Sequence, residues 1–192
     1  MKNRKIIDTE TLLKTRPDWP TSYHEAHFWE ALGRAIATIS FLEETLKKTI
    51  YVITGAQKVS GDDSHEEEFE AWTKSLKIAI SDPLNPLIKK YEQAVVKDKR
   101  FSVNNLESFL AELRELKEWR NILCHGSWRP PNEDGKSCPL FVKKNGDVFK
   151  GEIDTELLKK IQIEAAKICC VMMDSITSQG FQFPGSDNGS IK

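Results

Sequence analysis

The run Trp119-Arg-Asn-Ile-Leu-Cys-His125 holds the residue types needed for proton transfer beside an anionic group. An imidazole such as His125 titrates near neutral pH and can serve as general base or general acid. The Arg120 guanidinium is a permanent cation whose planar fork of donors matches carboxylate and phosphate oxygens. Asn121 precedes His125 by four residues, so the two share a helix face and the amide can hold the ring in one tautomer. Arg120 and His125 are five apart, roughly 140° around an ideal helix. Within one chain they make a poor pair unless the helix end unwinds at Gly126.

The helix that must carry these residues is legible in its apolar spacing. Phe109, Leu113, Leu116 and Leu123 form a stripe over a helix that starts near Asn104 and runs to about His125. Asn104 and Glu107 have capping-box spacing, and Gly126 is expected to supply a left-handed terminating residue. Position 120 falls on that stripe. A guanidinium on a buried face is costly unless a carboxylate, a second subunit or an anionic ligand meets it, and Glu43 or Glu44 is the intramolecular candidate.

Other elements follow the same logic. Ser22 and Glu25 have capping spacing, and Leu32, Ala35, Ile39, Leu42 and Leu46 predict a long helix from Ser22 to about Thr54, stopped by Gly55. Ser64 and Glu67 predict a helix over about 65–80. Asp82 before Pro83 predicts another over about 83–99. Asn145-Gly146 between two short apolar runs predicts a small β-hairpin over about 139–152. Asp154 is the expected cap of a last helix, about 155–178, with the stripe Leu158, Ile161, Ala165, Ile168 and Met172. The fold class is all-α, a bundle of four or five helices with the hairpin inserted before the last. Residues 1–21 read as a lead-in, 22–179 as the bundle, and 180–192 as a disordered tail.

Composition narrows the function classes. A formal net charge of −1 argues against avid, non-specific polyanion binding by the whole surface. The charge is unevenly spread: residues 114–150 hold eight Lys/Arg against five Asp/Glu, while residues 61–72 hold six Asp/Glu and no Lys or Arg. No apolar run is long enough for a membrane span, and the N-terminus lacks the core of a signal peptide, so a cytoplasmic protein is expected. The four cysteines are expected to be buried, reduced thiols, with Cys124 a packing residue rather than a nucleophile. His24 and His27, and Cys124 with Cys138, lack the partner spacing of metal sites, so neither metal nor cofactor is expected.

The Arg120-x4-His125 motif at a helix end, within an all-helical context over roughly residues 22–178, resembles the HEPN superfamily. The resemblance implies a homodimer in which two motif helices meet across a two-fold axis. Two His125 and two Arg120 side chains would then converge on one RNA phosphate. It implies a metal-independent endoribonuclease that uses the RNA 2′-hydroxyl as nucleophile. It also brings the expectation of a toxin or phage-defence effector, with a cognate antitoxin or regulatory protein as a further partner. Lys117, Trp128 and Arg129 flank the motif and are the candidate RNA contacts, the cations for phosphates and the indole for a base. Core packing is the other role open to Trp119 and Trp128. The alternative function is a non-catalytic HEPN-like module that binds RNA, a nucleotide or a partner protein.

Overall fold

The computed structural model describes residues 8–59 and 83–185. Among them are five α-helices: α1 (Thr9–Thr15), α2 (Ala26–Val59), α3 (Leu84–Lys97), α4 (Leu106–His125) and α5 (Thr155–Thr177). Asp8 caps α1, whose residues are all solvent-accessible, so the lead-in contributes a short surface helix. The helix expected over 65–80 and its cap at Ser64 lie outside the described residues.

The long helix α2 organises the rest. Leu32, Ala35, Ile39, Leu42 and Leu46 are all buried, and the stripe continues through Ile50, Ile53 and Ala56. Against it pack α3, α4 and, most extensively, α5, while α4 also touches α3 and α5. The helix begins later than the capping spacing suggests. Ser22 belongs to a 3-10 turn, Thr21–Tyr23, which the Trp29 indole anchors by donating to the Thr21 carbonyl (2.8 Å). It also runs through Gly55 to Val59. A glycine inside a helix costs about 1 kcal/mol at most, too little to stop a helix whose neighbours Ile53 and Ala56 are buried.

On α3, Pro83 is the N-cap rather than the first helical residue. On α4 the cap is Asn105, one residue beyond the expected position, with φ of 52° and its side chain accepting from the Ser108 N–H. Asp154 caps α5 as the sequence indicates, accepting from the Leu157 N–H at 2.8 Å. The α5 stripe, Leu158, Ile161, Ala165, Ile168 and Met172, is buried along its whole length. The chain stays attached past Gly180: Phe183 is buried, and the Phe181 ring packs on Phe101 at 5.5 Å. Of the expected tail, residues 186–192 lie outside the described residues.

The connection from α4 to α5 has no β-strand among the described residues. The expected hairpin over 139–152 is reduced to an isolated antiparallel bridge, Val142↔Val148, around the turn at Asn145-Gly146. Two more bridges, Ser127↔Leu140 and Ser137↔Ile153, tie the base of the connection. Its fit against α4 explains Gly126. That residue is extended (φ −70°, ψ 135°), not left-handed. A Cβ there would lie 2.6 Å from the Ile122 carbonyl oxygen and 2.9 Å from Pro139 Cβ. Glycine is needed for close approach, not for a positive φ.

Gly126→Ala is therefore expected to destabilise the fold by about 1–3 kcal/mol, as overpacking against backbone does. Urea unfolding monitored by circular dichroism measures this; an unchanged midpoint would show that Pro139 yields freely.

Candidate functional site

The last turns of α4 form one wall of an open groove of about 670 Å³. Lys117, Glu118, Asn121 and His125 line it from α4, Asn85 from α3, and Phe141 to Asn145 from the α4–α5 connection. His125 is exposed at the C-terminal end of α4. Asn121 and His125 share this groove, as their four-residue spacing requires, but no hydrogen bond joins their side chains. Lys117 sits beside them with its ammonium 2.8 Å from the Glu118 carboxylate.

Arg120 is not part of the groove lining. Its Nε lies 3.3 Å from Glu43 Oε1 on α2, and its side chain is 39% exposed. Glu44, the other sequence-level candidate, pairs instead with Lys48 at 2.7 Å. The expected burial of position 120 is not observed. Leu116 and Ile122 are buried, but every residue between them is only partly covered, so Arg120 stands where α4 leaves the core. Within one chain Arg120 and His125 serve different surroundings, in keeping with their angular separation on the helix.

The remaining candidate contacts separate as well. Trp128 packs edge-on against Phe28 (5.2 Å between centroids) and against His24 (6.5 Å). Trp119 meets Phe149 at 6.1 Å and donates to Glu115. Arg129 is exposed, and its carbonyl accepts the Ser137 hydroxyl at 2.8 Å. A second groove, of about 450 Å³, lies between α4 and α5 and is lined by Trp119, Leu157 and Ile161 together with the carboxylates Glu112, Glu115 and Glu164, but by neither Arg120 nor His125.

The spacing of the motif alone does not reveal Lys143 and Lys144, which line the same groove as His125. The signal available was the positive excess over 114–150 together with a Lys-Lys pair immediately before an Asn-Gly turn. The cysteines differ from expectation too. Only Cys169 is buried, and burial pushes its thiol up to about 11, whereas Cys124, Cys138 and Cys170 are exposed. Among the described residues no group of three or more His, Cys, Asp or Glu is placed to hold a metal ion, and no helix is long and apolar enough to cross a membrane.

No protein-family model, no curated protein and no solved structure matches this chain.

The cluster under Trp128 carries a pH dependence. His24 stacks on Phe28 at 4.2 Å, its Nε2 is buried without a hydrogen-bond partner, and desolvation lowers its pKa from 6.5. A depressed folded-state pKa means that the unfolded chain takes up the proton first. The stability His24 contributes is thus present above about pH 6.5 and declines as pH falls toward the folded value. His24→Gln is expected to flatten the dependence of the urea midpoint on pH between about 5 and 7 relative to the parent protein. Parallel curves would place the titration elsewhere.

Proposed function

We propose that this chain is a HEPN-like, metal-independent endoribonuclease whose catalytic residue is His125, assembled as a two-fold dimer. The observation that carries the proposal is the position of His125: an exposed imidazole at a helix end, on the wall of an open groove that also holds three lysines. A histidine kept for packing would lie in the core.

The chemistry follows from the residue types. One imidazole removes the proton from an RNA 2′-hydroxyl, whose oxygen then bonds to the adjacent phosphorus. The bond from phosphorus to the 5′-oxygen breaks, and a second imidazole gives that oxygen its proton. The products are a 2′,3′-cyclic phosphate and a 5′-hydroxyl end. Two acid–base groups are needed, and each chain supplies one His125, so the dimer completes the set. Arg120 of each chain stabilises charge on the phosphoryl oxygens, and Glu43 holds its guanidinium at the edge of the bundle. Asn121 borders the groove beside His125 and orients the ring once substrate fills the space. A role as toxin or defence effector, with a cognate inhibitor, belongs to the same proposal by analogy alone.

The Arg120–Glu43 pair favours a second reading, a helical module that binds RNA, a nucleotide or a partner protein without cutting. There the guanidinium serves only to join α4 to α2.

One series of assays separates the two. His125→Ala is expected to lose about two to four orders of magnitude in cleavage rate. It should melt within a few degrees of the parent and sediment as the same dimer, since it lies beyond the helix interior. Parent activity should persist in excess EDTA, with a cyclic phosphate at the new 3′ end. Full activity in folded His125→Ala, a strictly monomeric parent, or activity lost to EDTA and restored by a divalent ion each contradicts the proposal. A parent protein that binds RNA and never cuts it supports the second reading.

A further inference from the structure

We infer that the α4–α5 connection is a substrate-binding arm: Lys143 and Lys144 at its tip seat the phosphates of single-stranded RNA that run through the groove past His125. The inference rests on the RNA reading given above and adds to it residues outside the motif.

Three observations carry it. First, both lysines line the same groove as Asn121 and His125, and they come to it from the α4–α5 connection rather than from α4. Second, their charge is uncompensated. Lys117 is paired with Glu118, but among the described residues neither Lys143 nor Lys144 makes an ion pair. The nearest acid in sequence, Asp147, accepts from the Asn145 side chain at 2.7 Å instead. Third, the lysines sit on an ordered turn. The Lys143 N–H donates to the Asp147 carbonyl (2.8 Å), the Lys143 carbonyl accepts from Gly146 (2.9 Å), and Gly146 adopts φ of 89°. Two uncompensated ammonium groups on a braced turn make a preformed anion site. Strong anions with regular spacing and permanent charge, as in a nucleic-acid backbone, suit it best.

The rest of the lining favours nucleic acid over an acidic peptide. Phe141 and Val142 border the groove beside the lysines, and Val142 is 56% exposed. Apolar and aromatic surface next to phosphate-binding cations is what unstacked bases require. A polyglutamate chain has nothing to place there.

The test uses the 192-residue chain and a fluorescein-labelled 2′-O-methyl RNA of about 20 nucleotides, which cannot supply the attacking hydroxyl. Fluorescence anisotropy across a salt series gives Kd and its salt slope. Lys143→Gln/Lys144→Gln is expected to raise Kd about tenfold and to lower the slope by about 1.4, at roughly 0.7 per phosphate contact for single strands. Lys150→Gln/Lys159→Gln removes the same charge outside the groove and should leave Kd within about twofold of the parent. Equal weakening by both double variants overturns the inference, because the effect is then bulk charge. A Kd unchanged by Lys143→Gln/Lys144→Gln overturns it too, as does equal competition by polyglutamate of matched charge. Cleavage is scored separately on unmodified RNA. A parent that cuts while the groove variant binds normally refutes the arm and leaves the nuclease standing; lysine-dependent binding without cleavage does the reverse.

Discussion

The apolar stripe of α2, from Phe28 to Ala56, is the surface against which α3, α4 and α5 all lose their water. A helix of 34 residues rises about 51 Å, long enough to touch each of the other long helices. Burying a leucine or isoleucine contributes about 1.5–3 kcal/mol, and Ile39, Leu42, Leu46 and Ile53 are fully covered. The orientation of α4 depends on this packing, since Phe109, Leu113, Leu116 and Leu123 must stay on the inner face. Asn121 and His125 are then carried toward α3 and the α4–α5 connection, and Arg120 is brought to the margin of α2, within reach of Glu43. The angular offset between the two motif residues becomes a difference in surroundings.

That difference has an electrostatic side. Arg120 is paired with the Glu43 carboxylate, and a partly exposed ion pair of this kind contributes little to stability. The pair fixes direction more than it adds cohesion. Among the residues that line the groove the carboxylate is that of Glu118, and Lys117 engages it.

Much of the helical framework was readable because its signals are local and repeated. The stripes on α2 and α5 each combine several residues at three- and four-residue spacing, so one misleading position changes nothing. Asp154 combined a capping residue with such a stripe and was placed correctly. Signals resting on one residue fared worse. Gly55 suggests a stop, but burial of its neighbours outweighs its small intrinsic cost. Gly126 marks a real boundary for another reason, the close approach of the Ile122 carbonyl and of Pro139, and the second of these depends on the path of the α4–α5 connection. Asn145-Gly146 locates a turn correctly yet says nothing about how far pairing extends on either side. For the site, spacing was enough to put Asn121 and His125 together and to set Arg120 apart. The choice between Glu43 and Glu44 needed the relative rotation of α2 and α4. Lys143 and Lys144 needed the path of the connection, which no periodicity encodes.

That connection is fastened at its base and open at its tip. Ser137 and Ile153 exchange both backbone hydrogen bonds, both are buried, and the Ser137 hydroxyl reaches the Arg129 carbonyl. Beyond Leu140 the segment 142–148 is exposed throughout and is braced mainly by its own turn. The two halves are thus mechanically separable. Closing a slightly longer loop costs little entropy, because that cost grows only with the logarithm of length. The tip is therefore the place where change costs the fold least: it can be lengthened, shortened or recharged while the bundle beneath keeps its shape. The shape and charge of that side of the groove can change there without the helices having to be rebuilt.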